Sequence, residues 1–282
     1  MKERIAFVGA GRVGISLAAY FASEGLNVVS IYARSKGSCE KAALFIEKSK
    51  ITREITGLKE PDVIFITTKD DAIKKVAEKL HELYPEAHLV HTSGAHSSRI
   101  LPGKRRASLH PMQSFADPQK AIEGIKETLF TLEGTKETVK LCERLLNRLK
   151  LKYAVINEKD KVLYHIAACI ASNYLVTLFA KALECIQKSG VEKELGTEGL
   201  LNLSFGTLKN IREKGIPHAL TGPIARGDKE TIKLHLKALK EHPELFRFYT
   251  FLGKETAKMI DKDTILKIFE GEKNEKGEMA GR

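Results

Sequence analysis

Short β-branched runs alternate with helical stretches along the first half of the chain, and long helical periods with no convincing strand fill the second. Strands are predicted over residues 4–8, 28–32, 63–67, 88–92, 107–109, 128–132 and 152–156, with helices in most of the gaps. That alternation implies an α/β fold whose mostly parallel sheet is covered on both faces. After Asn157, read as an N-cap, the pattern predicts one long helix over about 158–189, stopped by Gly190, and another around 200–212. A loop over 215–227 follows, Asp228 caps a further helix, and Pro243 opens one more that runs to about residue 260. The polar, glycine-containing tail from residue 271 is expected to fray.

The first strand runs straight into glycines. "IAFVGAGRVG" places Gly9, Gly11 and Gly14, with Ala10, Arg12 and Val13 between them, where a strand ends and a helical period begins. Each glycine has a steric task there: a tight turn, close approach of backbone to a pyrophosphate, and close packing of helix on strand. The helix N-terminus adds positive partial charge. In this context GxGxxG marks a dinucleotide site, so residues 1–156 are expected to form a Rossmann domain and residues 157–282 an all-α domain.

The second strand ends in "VVSIYARS". An NAD site usually carries an acidic residue here for the ribose hydroxyls, whereas this chain has Ala33, Arg34 and Ser35. A small residue, a guanidinium and a hydroxyl make room for a 2′-phosphate and can bind it, which favours NADP over NAD.

In an open α/β sheet, ligands sit at the carboxyl ends of strands. Those ends offer Thr67 and Thr68, Ser93 and Gly94, and His110. The hydroxyls and amides suit cofactor ribose and nicotinamide, and His110 is a candidate for substrate. His88, His91 and His96 invite a metal reading. Residues 88 and 91 of one strand point to opposite faces, however, and no cysteine or carboxylate completes a ligand spacing, so no metal is expected.

Composition narrows the class. A chain of 282 residues with 43% hydrophobic and 29% charged positions reads as a soluble two-domain protein. Its formal charge of +11 is spread among acids, with one tight cluster at Lys104, Arg105 and Arg106. That argues for a solvated basic surface that attracts a phosphorylated cofactor and against nucleic acid as partner. Four scattered cysteines form no CxxC pair and no secretory pattern opens the chain, so a cytoplasmic location is expected. Residues 162–180 are uncharged over transmembrane length, but they contain His165, Ser172, Asn173 and Thr177, and no membrane span is expected.

"KVLYHIAACIASNY" carries the candidate chemistry. Lys161, His165, Cys169 and Asn173 follow one another at i, i+4 along a drifting ridge, with Ser172 beside them, on a helix otherwise built for burial. Hydride transfer to a carbonyl or imine carbon leaves negative charge on the heteroatom, so a proton donor and hydrogen-bond donors must sit opposite the nicotinamide. Lys161, His165 and Asn173 can supply them, and Ser172 can touch substrate.

The segments "FVGAGRVG", "HTSGAHS", "LHPMQSFAD", "YHIAACIASNYLV" and "ALTGPIARGD" span nearly the whole chain. With them the sequence resembles the 6-phosphogluconate dehydrogenase-like group, which includes ketopantoate reductases, β-hydroxyacid dehydrogenases and pyrroline-carboxylate reductases. More closely, it looks like Rossmann-like oxidoreductases whose C-terminal half is a domain of unknown function. The resemblance implies an NADP-dependent oxidoreductase acting on a small acidic substrate, with ketopantoate-like keto acids first and cyclic imino acids second. In ketopantoate reductases and β-hydroxyacid dehydrogenases this helix holds a Lys-x-x-x-Asn pair with the lysine as acid or base. Here Lys161 matches the lysine and His165 stands where the asparagine would be. Either Lys161 is the acid and His165 orients it, or His165 has taken the proton, as an imidazole titrating near neutrality can. Arg226, in "TGPIARGD", could clamp a substrate carboxylate or pair with Asp228. The apolar second half is expected to form a homodimer. A non-catalytic NADP-binding sensor is the rival from another class.

Overall fold

The computed structural model describes residues 3–271. In chain order, β1 (Ile5–Val8) leads into α1 (Arg12–Ser23), β2 (Val28–Tyr32) into α2 (Lys36–Ala42), and a short β3 (Ile51–Thr52) precedes β4 (Val63–Ile66) and α3 (Ile73–Leu83). Then come β5 (His88–His91), β6 (Arg106–Pro111), α4 (Pro118–Gly124), β7 (Leu129–Gly134), α5 (Lys136–Arg148) and β8 (Lys152–Val155). The strands form one sheet in the order β3-β2-β1-β4-β5-β6-β7-β8. Every neighbouring pair is parallel except β6 with β7.

β1 (IAFV) and β4 (VIFI) are buried at every position, as strands covered on both faces must be. On one face, Phe7, Phe21 and Phe65 make edge-to-face and stacked ring contacts at centroid distances of 5.1–5.8 Å, inside a cluster that reaches Leu145 and Leu146 of α5. On the other, Ile64, Ile66 and Leu89 pack against Ile73, Ala77 and Leu80 of α3. The sequence predicts seven strands and the sheet has eight. β3 is two residues long on the edge beside β2, too short to show an alternation.

Beyond Val155 every described element is helical. The helix expected over 158–189 is interrupted. A 3₁₀ turn at Glu158–Asp160 leads into α6 (Lys161–Ala171), which ends where Ser172 turns to φ −114°, ψ −66°, and α7 (Asn173–Lys188) starts afresh. By internal contacts the chain divides into Met1–Tyr174 and Leu175–Arg282, so α6 stays with the sheet that the sequence separates from it at residue 156. Polar side chains explain this, because α6 sends bonds into the strands that its apolar spacing does not reveal.

In the second unit, α8 (Lys193–Lys214) begins well before the expected residue 200. The expected loop holds two short helices, α9 (Ile216–Ala219) and α10 (Pro223–Arg226). Asp228 caps α11 (Lys229–Leu239) as expected, its Oδ1 accepting from the Thr231 N–H at 3.1 Å. α12 (Pro243–Met259) starts on its proline, and α13 (Asp263–Gly271) was not anticipated. Ile232, Leu236, Phe246, Ala257, Ile265 and Phe269 form a small core, where Gly253 lies so close to the Phe269 ring that any side chain would collide. The tail expected to fray lies, past Gly271, outside the described residues.

Candidate active site

At the carboxyl end of β1, Gly9 takes φ +118°, open to glycine alone, with the Thr67 and Thr68 backbone where a side chain would start. Gly14 packs directly on the Gly9 carbonyl, so its missing Cβ lets α1 close onto the strand. Gly11, by contrast, faces open space and caps α1 with no side-chain hydrogen bond. The first-turn amides of α1 are thereby presented to an anion. Ala10 and Val13 rest against the core while Arg12 is exposed. A dinucleotide pyrophosphate fits this cradle.

At the end of β2, Ala33 is buried and its N–H donates to the Thr52 carbonyl. Arg34 is exposed. The Ser35 hydroxyl caps α2, accepting from the Ser38 N–H at 3.2 Å. Of the three, Arg34 is the one left to meet a 2′-phosphate.

The strand-end hydroxyls divide by role. Thr67 donates to the Gly9 carbonyl at 2.7 Å and braces the glycine turn. Thr68, next along, has a buried hydroxyl with no hydrogen-bond partner, the kind of orphan that a ligand satisfies. Ser93 donates to Asp70 Oδ2 at 2.7 Å and accepts from the His96 N–H at 3.1 Å, shaping the turn that carries Gly94.

Around that turn the structure gathers α6 and β6. A side chain on Gly94 would start 2.8 Å from His110 Nε2 and 3.0 Å from His165 Nε2, so the bare glycine lets both imidazoles converge. Their rings meet edge to face at a centroid distance of 6.0 Å. Tyr164 OH lies 2.9 Å from His110 Nδ1. Burial pushes His110 down to about 4, helped by the charges of Lys161 and His165, and so holds the ring neutral.

Lys161, the first residue of α6, is 1% exposed. Its Nζ donates to Ser108 Oγ at 2.6 Å and lies 4.0 Å from the equally buried Glu133. Glu133 in turn accepts from the Ser98 N–H at 2.7 Å and hydroxyl at 2.8 Å. The β6–β7 register sets Ser108 opposite Glu133 and makes this cluster possible. Burial lowers Lys161 to about 8 against the pull of Glu133 and Asp70. His91, also inside, accepts from the Ser93 N–H at Nδ1, and burial followed by the Lys161 charge takes it down to about 3. His88 packs on the opposite face, its Nδ1 2.8 Å from Thr138 Oγ1, as the strand alternation predicts.

The ridge is thus split. Lys161 points into the unit, His165 sits at its rim with Cys169 Sγ 3.9 Å from Nε2, and Ser172 and Asn173 are exposed at the α6–α7 junction. Arg226 belongs to the second unit, exposed and 4.0 Å from Asp228. Sequence reasoning missed Tyr164, Ser108 and Glu133. Glu133 had a signal, an acid ending the apolar run "LFTLEG". Tyr164 had none beyond its place beside His165.

A family model described as NADP oxidoreductase, coenzyme F420-dependent, matches residues 4–93, and a domain of unknown function, DUF2520, matches residues 128–256. No curated protein matches the chain. Among solved structures, protein TM1727 from Thermotoga maritima is 30% identical over 94% of this chain and 98% of its own, with a TM-score of 0.74. BF3122 from Bacteroides fragilis is 23% identical over 91% and 98%, with a TM-score of 0.73. The pyrroline carboxylate reductase of Plasmodium falciparum, solved with NADP bound, shares the fold at 14% identity over 95% and 99%, with a TM-score of 0.59. The chain belongs to the family of TM1727, joining an NADP oxidoreductase Rossmann domain to a DUF2520 helical domain, and it is an NADP-dependent oxidoreductase.

Proposed function

We propose that the protein reduces the carbonyl of a small keto acid, with His165 and His110 as the groups that meet the substrate oxygen. The observation that carries this reading is the convergence of the two imidazoles on Gly94. That turn leaves β5, two strands from the β1 glycines, on the same carboxyl edge of the sheet. Bound NADPH supplies the hydride. The chain's own part is to hold the cofactor phosphates at Gly9–Gly14 and Arg34, to place hydrogen-bond donors where negative charge develops, and to provide a proton. His165 suits proton donation better than Lys161, whose ammonium is engaged by Ser108 and Glu133 inside the unit. Asn173, exposed at the start of α7, is proposed as a cofactor or substrate amide contact.

An imine substrate is the second reading, supported by the full-length likeness in fold to a pyrroline carboxylate reductase. One experiment separates the readings: NADPH oxidation measured against a panel of keto acids and cyclic imines. A keto acid is expected to turn over, and His165→Ala to lower kcat by about 10²–10⁴ while NADPH affinity holds. Turnover of imines alone selects the second reading. Tight NADPH binding with no turnover of any member, together with a cofactor-dependent change of assembly, would leave a sensor.

We also propose that the enzyme works as a homodimer in a reducing compartment such as the cytoplasm. Leu195, Leu203 and Phe205 of α8 are each more than 60% exposed, and all four cysteines are free thiols. The run Glu158–Lys188 has the length and apolarity of a membrane span, but its first half is tied to the sheet by Lys161 and Tyr164, which favours a subunit interface instead.

A further inference from the structure

Consecutive residues of α6 straddle one imidazole. Tyr164 addresses His110 at Nδ1, with an O···N distance of 2.9 Å and ring planes at 81°, while His165 lies on the Nε2 side beside Gly94. We infer that Tyr164 is a positioning residue that fixes the tautomer of His110, so that Nε2 carries the proton and donates a hydrogen bond into the site.

A neutral imidazole has one N–H and one bare nitrogen, and whichever nitrogen accepts a bond leaves the proton on the other. A phenol is a good donor and a poor acceptor because its oxygen lone pair is delocalised into the ring, and bare imidazole nitrogen is a strong acceptor. The Tyr164–His110 contact therefore runs from O–H to Nδ1. Burial favours this arrangement by holding Tyr164 above the ordinary phenol range, with its proton on, and His110 neutral. The opposite tautomer would aim a bare Nε2 at the substrate oxygen, lone pair against lone pair. Tyr164 thus determines whether His110 attracts or repels the charge that develops in reduction. This assignment deepens the proposed function and rests on its placement of the substrate at Gly94.

The tautomer can be read without turnover. In protein labelled with ¹⁵N-histidine, with His110→Gln used to assign the resonance, His110 is expected to show a protonated Nε2 and a bare Nδ1, and Tyr164→Phe to abolish that preference. A protonated Nδ1 in the wild type, or an unchanged Nε2–H form in Tyr164→Phe, overturns the inference whatever the substrate. Once a turnover substrate is found, Tyr164→Phe should lower kcat about tenfold or more with KM little changed. His110→Gln, whose amide reaches the Nε2 position, should retain more activity than His110→Asn, whose amide reaches Nδ1. Equal losses in the two variants would also overturn it. An NMR result as expected, with no substrate turned over, would sink the proposed function and leave the tautomer assignment standing.

Discussion

The two units differ in what they bury, although each leaves apolar helix surface exposed, the first at Val162, Leu163, Ile166 and Ile170 of α6. The first seals two apolar clusters around a sheet and then places an ammonium, a carboxylate and two hydroxyls among them, at Lys161, Glu133, Ser98 and Ser108. The second has a small core among α11, α12 and α13, while α8 shows Leu195, Leu203 and Phe205 on its outside. A buried ion pair rarely adds stability over a well-packed apolar replacement, but removing one partner is expensive. Interior charge in the first unit therefore specifies where α6 docks, and the exposed apolar side chains of α8 in the second are the surface that the proposed dimer would cover. The first unit should break at single interior positions and the second at its surface.

The largest effect is expected from Lys161→Met, which strands Glu133 inside the protein. Urea unfolding should lose about 3–5 kcal/mol, and adding Glu133→Gln should recover part of that loss. A cost near zero for Lys161→Met would show that the pair specifies nothing. Next comes acid. His91 titrates in the folded chain at about 3 against 6.5 in the free side chain, so the folded state binds fewer protons and loses stability as pH falls through that window. Between pH 6.5 and 5 the loss from this residue should be about 1–2 kcal/mol, read from urea midpoints, and His91→Phe should flatten the curve. Lys161 contributes with the same sign on the alkaline side, stability rising from about pH 8 as its unfavourable buried charge is lost.

On the second unit, Phe205→Glu should weaken self-association at least tenfold in sedimentation, about 1.4 kcal/mol, with little change in unfolding of the first unit. A single species of unchanged mass would remove the contrast between the units. The smallest change is expected at the end of β2, where Arg34→Ala should raise the NADPH Kd about tenfold and leave NADH binding unaltered. Equal weakening of both cofactors would mean that Arg34 meets no 2′-phosphate.

The strand-and-glycine half was legible because its signals are local: an apolar run, a turn that admits glycine alone, and a helix start, all within ten residues. β3 escaped because two residues cannot display a period. The spacing of Lys161, His165 and Cys169 predicts a drifting ridge on α6, yet spacing says nothing about what covers each step of it. Only the register of β6 against β7 brings Ser108 and Glu133 under Lys161, a contact between residues 53 positions apart in sequence. The break at Ser172 was hidden for a related reason, since no Pro or Gly marks it and the apolar pattern continues across it. Tyr164 needed three elements at once, α6, β6 and the turn after β5, before its role could be seen.

Gly94 has one more consequence. Because it already carries the least possible bulk, mutation there can only take room away from the two imidazoles. Under the proposed placement of substrate at this turn, drift toward larger molecules would be coupled to loss of the reaction, and a single residue without a side chain would keep the lineage on small ones.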